Sequence, residues 1–243
     1  MIFILIGIII TMWASQNIKS TFQKYSQLPY SKNVTAEVVA NWILKQYGIT
    51  YIRIERTPGS LTDHYDPIHK VLRLSDVVYG SQSMAAIGVA AHEGGHAIQD
   101  HFAYRPMIIR RKLVPIANIG SSISYPVILL GIIFGATGLV NVGIVLFSAV
   151  VLFQLVTLPV EFDASKRACA ILEGSNRFYP MEMDAVKKVL SAAAMTYLAS
   201  LLVSLVSFLR FLFLILTAFG SLSHTDPTLL ESSFPASCPL ENK

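Results

Sequence analysis

The chain has 243 residues, of which 53% are hydrophobic and only 14% charged, with a formal net charge of +4. Soluble domains carry about a quarter charged residues, so this composition argues against an ordinary soluble enzyme and for a membrane protein of one or two domains. No basic patch interleaved with aromatics suggests nucleic acid, and the positive balance reports membrane topology instead.

The first stretch, "MIFILIGIIITMWA", is short for a membrane span and has no basic residue before Lys19. It lacks the positive start of a secretory signal, so residues 1–16 read as an uncleaved signal-anchor helix. Residues 17–112 form a first polar region. In it, 35–47 ("TAEVVANWILKQY") has Val38, Val39, Trp42, Ile43 and Gln46 at helical spacing, a Thr start and Gly48 as stop, which predicts a core-facing helix. Ile52 and Ile54 then alternate with charged neighbours, Pro58 and Gly59 turn the chain, and 71–75 resumes. This predicts a small β-sheet with "DHYDP" as its connecting loop. From Ser81 a helix is predicted to about Tyr104, closed by Pro106, with alanine or glycine at 85, 86, 88, 90, 91, 94, 95 and 97.

Between Lys112 and Glu161 lie 48 residues without Asp, Glu, Lys or Arg, enough for two spans of about 20 residues and a turn. The weak points in "GATGLVNV" put the spans near 116–135 and 139–158, a hairpin over 113–160. Residues 161–190 return to a polar helix. The uncharged run 189–209 meets Arg210 and continues as "FLFLILTAFG", which predicts one span near 195–218, within 191–219, with Arg210 snorkelling or facing protein. The tail, 220–243, receives no role.

Residues 15–112 hold 12 of the 19 Lys and Arg, and 161–190 hold five. Both polar regions therefore share one face, expected to be cytoplasmic, and the tail lies outside. The expected fold is mainly α, with about four transmembrane helices and a cytoplasmic α+β region. Cys169 and Cys238 fall on opposite sides in this topology, so no disulfide joins them.

Within the predicted helix stands "AAHEGGHAIQD". His92 and His96 differ by about 40° in azimuth, so both imidazoles can reach one ion from the same face. Glu93, rotated about 100°, flanks that ion without ligating it, where a base for the attacking water is needed. Gly94 and Gly95 weaken the helix and read either as tight packing or as room for substrate. Catalytic zinc takes three protein ligands. His101 lies about 180° from His92 around the helix and reads as a surface or packing residue. His224 lies across the membrane, so the carboxylates of "TLPVEFDASKRACAIL" are the better candidates. If that stretch is helical, only one of Glu161 and Asp163 faces the ion, since they point about 160° apart. Ser165 shares Glu161's face, whereas Asp163 has an ordinary use as partner of Lys166 or Arg167. A non-catalytic scaffold or transporter subunit with a structural zinc is the alternative, but it has no use for Glu93.

"AAHEGGHAIQD", "LTDHYDP", "VLFQLVTLPVEFDASKRA" and "KKVLSAAAMTYLASLL" together resemble the YugP-type neutral zinc metallopeptidases, membrane peptidases distantly similar to the HtpX and CAAX prenyl protease gluzincins. The resemblance covers about 42–212. It implies Zn²⁺, a membrane-embedded peptidase and Glu161 as third ligand beside His92 and His96. The chain departs from the family in Gly94, where Val is common, and in the tail. On this reading Glu93 is the base, and His64 or Tyr65 donates to the oxyanion. Strand 71–75 receives the substrate, a peptide or membrane protein, as an added strand, and lipid surrounds the spans.

Overall fold

The computed structural model describes residues 2–220, with side chains described to Leu214. Helix α1 (Ile2–Ser26) is longer than its apolar stretch, because the helix continues through the polar residues 15–26, which a hydropathy reading leaves out. Helix α2 (Ala36–Gln46) starts at Thr35 and stops at Tyr47, with Gly48 at φ 68°, as its punctuation predicts. Its buried face differs from the predicted one. Ala36, Val39, Ala40, Ile43 and Leu44 are buried, while Val38 and Gln46 are exposed and Trp42 is half-buried under Arg177. The small Ala40 admits a closer neighbour than the apolar spacing suggests.

Strands β1 (Arg53–Thr57), β2 (His64–Asp66) and β3 (Val71–Ser75) form a mixed sheet in the order β1-β3-β2, with β1 parallel and β2 antiparallel to β3. Two expectations are corrected here. "DHYDP" is not merely a loop, since it contains β2, a strand too short to show alternation. Strand β3 is the centre of the sheet and not an edge, so its hydrogen-bonding sides are both taken. Its burial on both faces, at Val71, Leu72, Leu74 and Ser75, follows from that position.

Helix α3 (Met84–His101) begins where Ser83 Oγ accepts from the Ala86 amide at 3.2 Å. It is shorter than predicted at both ends, because Phe102 and Ala103, the latter at φ 49°, turn the chain before Pro106 enters the next helix. Residues 84–88 and 90–99 of α3 are all buried, as expected of a helix apolar all round. It lies between α2 and the later helices α5 and α6, and its small residues set the distances. A Cβ at Gly95 would stand 2.5 Å from the Ala164 carbonyl oxygen of α5, whereas one at Gly94 would meet only the Ile43 side chain of α2, at 3.3 Å. Both glycines therefore serve packing. Gly95→Ala is expected to cost about 1–3 kcal/mol, because two backbones must separate. Gly94→Ala, which gains up to about 1 kcal/mol of helix propensity, should stay near wild type. Thermal unfolding of the two variants checks this, and equal midpoints would contradict the α3 to α5 approach.

Helices α4 (Arg105–Ile133) and α5 (Thr137–Gly174) form the hairpin. The turn falls where predicted: Gly135 has φ 63° and the Ala136 amide donates back to the Gly131 carbonyl at 2.8 Å. Helix α5 runs unbroken through Glu161, so the second span and the start of the next polar region are one rod. Residues 161–190 are not one helix. The chain breaks after Gly174, with Asn176 at φ 53°, and α6 (Pro180–Gly220) begins anew. Among the described residues four helices are long and apolar enough to cross a membrane: α1, α4, α5 and α6. Arg210 is half-buried over the Phe211 ring and lines a groove with residues of α1 such as Thr11.

The described residues form two hydrophobic cores. One joins α2, the sheet, α3, the end of α5 and the start of α6. The other, around Ile128, Phe147, Leu201 and Phe211, lies among α4, α5 and α6. Helices α5 and α6 run through both, so a group on their middle turns sits at the junction.

Candidate metal centre

At that junction three side chains converge. His92 Nε2 lies 3.2 Å and His96 Nε2 3.4 Å from Glu161 Oε2, and one donor atom from each of the three falls within 4.8 Å of the others. The two histidines share a face of α3 because four residues make just over one turn, and Glu161 reaches them because Gly95 lets α5 approach. Glu161 is 1% exposed, a position untenable for a carboxylate without cationic company.

The arrangement of the surrounding polar atoms tests whether a metal fits. Gln99 Nε2 faces two acceptors, the Val160 carbonyl and Asp163 Oδ2, each at 2.8 Å. Its Oε1 is therefore the atom turned to His96 Nδ1, at 3.0 Å, and Nδ1 carries the proton. In the neutral form of such an imidazole the lone pair is on Nε2, the atom that faces Glu161 Oε2. Two acceptors face each other, and a cation between them resolves the conflict. Tetrahedral zinc with bonds of about 2.0–2.1 Å separates its ligand atoms by about 3.3 Å, which the spacings to Glu161 match. The residues fit Zn²⁺.

The next ring of contacts holds these three in place. Ser165 Oγ lies 3.1 Å from His92 Nδ1, one turn beyond Glu161 as its spacing suggested. Arg110 Nη1 stands 3.0 Å from Glu161 Oε1, off the angle of a hydrogen bond, so it balances charge without occupying that oxygen fully. Asp163 does not face the site. It accepts from Arg167 Nε at 2.5 Å, the partner predicted four positions on, but it also anchors Gln99 and is thus more than a solvated residue.

Glu93 is buried beside the three and is not among their converging atoms. Its carboxyl is pushed up to about 7, chiefly by loss of solvent, with Glu161 and Asp63 adding to the effect and His92 opposing it. It lines a cavity of about 260 Å³ together with His96, Glu161, Asp63, Arg110 and Tyr197, while Met107, Ile108 and Val114 of α4 form an apolar wall. Asp63 is itself half-buried, its carboxyl raised by burial although Ser75 donates to it through both backbone and hydroxyl.

His64 reaches the same cavity but is exposed, with Nδ1 2.8 Å from the Thr62 carbonyl and Nε2 3.3 Å from Arg73. The Tyr65 hydroxyl donates to Asp100 Oδ2 at 2.8 Å. His101 is exposed against Tyr51, as its azimuth predicted, and His224 and Cys238 lie outside the described residues. Gln99, Arg110 and Tyr197 escaped the sequence reading. Only Gln99 left a signal there, three residues after His96 on the same helical face.

Comparison with known proteins agrees with this chemistry. A family described as "Putative neutral zinc metallopeptidase" matches residues 1–216. The chain is 44% identical over 207 residues to the "Putative membrane protease YugP" of Bacillus subtilis (strain 168), covering 85% of this chain and 92% of that one. No solved structure matches. With four apolar helices, a carboxylate and two imidazoles converging at 3.2 and 3.4 Å, and a match along nearly its whole described length, the chain belongs to this neutral zinc metallopeptidase family of multi-pass membrane proteins.

Proposed function

We propose that the protein is a membrane-embedded zinc-dependent endopeptidase that hydrolyses peptide bonds at the cytoplasmic face. The observation that carries this reading is the meeting of His92, His96 and Glu161 at the wall of a cavity that His96, Glu161 and Glu93 all line. A structural zinc has no need of a buried carboxylate beside an open cavity. His92, His96 and Glu161 hold Zn²⁺, and the chemistry a bound zinc supplies is Lewis acidity toward water and the scissile carbonyl. Glu93 takes a proton from the attacking water as its oxygen bonds the carbonyl carbon, then gives that proton to the amine as the C–N bond breaks.

The substrate, a peptide or a segment of a membrane protein, lies extended along β2. That strand is an edge of the sheet, and its residues His64 and Tyr65 line the cavity, so main-chain pairing there replaces the pairing expected at β3. Met107, Ile108 and Val114 favour an apolar side chain next to the scissile bond, and lipid surrounds the spans. The cytoplasmic side rests on the 12 and five basic residues in 15–112 and 161–190, and the zincin-like character of the region outside the membrane on the small sheet beside the helix that carries His92, Glu93 and His96.

The test uses the full chain in detergent micelles and a fluorescence-quenched peptide library. Cleavage is expected to stop on chelation and to return with Zn²⁺ but not Mg²⁺. Cleavage indifferent to chelation, or absent from the zinc-replete protein, would overturn the proposal.

A further inference from the structure

The proposed hydrolysis leaves one group unassigned, the donor that meets the oxyanion. His64, Tyr65, Tyr104, Arg110, Arg111 and Tyr197 line the cavity and carry suitable N–H or O–H groups. Most are engaged elsewhere. His64 is held by Thr62 and Arg73 at the exposed rim, and the Tyr65 hydroxyl is spent on Asp100. Arg111 also leans to Asp100, at 3.6 Å, and the Tyr104 ring packs under Arg167, which is itself paired with Asp163. Arg110 faces Glu161 Oε1.

Tyr197 differs. It is half-buried on α6 and lines the cavity with Glu93 and Glu161, its hydroxyl directed at the Glu161 carboxylate. It nevertheless leaves Glu161 Oε1 without a hydrogen bond of good geometry. A phenol that lines the same cavity as Glu161 and Glu93 stands where a scissile carbonyl must enter, with a proton to offer.

We propose that Tyr197 is a catalytic residue, whose O–H donates a hydrogen bond to the carbonyl oxygen as negative charge develops on it. The inference rests on the endopeptidase reading above. As the water oxygen bonds the carbonyl carbon, the carbonyl π pair moves to oxygen, and Tyr197 stabilises that charge while keeping its proton. Glu93 holds the proton lost by water. When the C–N bond breaks, the pair returns to the carbonyl and Glu93 delivers its proton to the amine. Arg110 is a positioning residue here: it balances the charge of Glu161, so that the Tyr197 hydroxyl turns from that carboxylate to the substrate oxygen.

Tyr197→Phe removes only the hydroxyl. In the full chain it is expected to keep zinc at full stoichiometry and a KM within about twofold, while kcat falls about 10²–10³-fold. Affinity for a phosphinic peptide, whose anionic oxygen mimics the tetrahedral state, should fall by a similar factor. Binding of an uncleaved peptide to the Glu93→Gln background should not change when Tyr197→Phe is added. Tyr197→Gln, which restores a donor, should recover part of the rate. Near-wild-type kcat with undiminished phosphinate binding would overturn the proposal, and so would loss of zinc from Tyr197→Phe, which would make the residue a support for Glu161. Failure of the underlying reading looks different: the wild-type protein would then cleave nothing, or Glu93→Gln would cleave as fast as wild type.

Discussion

Glu161→Ala is expected to give a folded protein that loses its zinc at moderate chelator concentration and has no measurable peptidase activity. Glu161 Oε2 contacts both imidazoles, at 3.2 and 3.4 Å, so its loss leaves two histidines to hold the ion. The substitution does further harm, because Arg110, 3.0 Å from the deleted oxygen Oε1, becomes an uncompensated cation facing a cation site. Loss of a partner outside the ligand shell typically lowers metal affinity 10–100-fold, so loss of a ligand should exceed about 10²-fold. Asp163→Ala provides the contrast. Its carboxylate reaches the site only through Gln99, which keeps the Val160 carbonyl as a second anchor. Zinc should stay at full stoichiometry and the rate within about tenfold of wild type. Metal analysis of both variants after the same dialysis decides the matter. Zinc retained in Glu161→Ala and lost from Asp163→Ala would exchange the two assignments.

Why Glu161 and not Asp163 was partly legible before any coordinates is a matter of periodicity. A helix separates the two side chains by about 160°, and Ser165 and Arg167 then fall to opposite roles, which the contacts to His92 and Asp163 bear out. The same logic located α2 by its Thr start and glycine stop, and the hairpin turn by its weak helix formers. What failed was whatever depended on partners distant in sequence. Strand β2 has three residues and is defined by pairing with β3, not by any pattern of its own. Gln99 gains its meaning from a carbonyl 61 residues away. In the sequence Arg110 is one of the basic residues before the first uncharged run and Tyr197 an aromatic in the last one, and no spacing singles out either. Both acquire chemistry only because α4 and α6 bring them to the place where α3 meets α5. The cavity is thus built from two sides, with Glu93 and His96 from the polar core and Arg110 and Tyr197 from the apolar helices. This arrangement suits a scissile bond held close to the membrane surface.

Glu93→Gln should separate binding from chemistry most sharply. The amide matches the carboxylate in volume and is expected to leave zinc at full stoichiometry, since Glu93 is not among the converging ligand atoms of the described residues. Stability should not suffer. The native carboxylate is 7% exposed and lies among other acids, Glu161 and Asp63, so replacing it by a neutral group removes a burial cost. Peptide cleavage, by contrast, should fall about 10²–10⁴-fold, the range that a positioned general base contributes. The reason lies in the site itself. Burial raises the carboxyl's hold on a proton above the ordinary carboxylate range, the direction that suits a base which must take a proton from water and later return it to an amine. Glutamine can do neither, and it retains the cavity in which substrate sits. Membranes carrying the variant should therefore hold bound substrates that wild-type membranes release, and quantitative proteomics of proteins co-purifying with each form would identify them. Cleavage of the quenched peptides by Glu93→Gln at the wild-type rate would remove Glu93 from the chemistry, and with it the hydrolytic reading of the cavity.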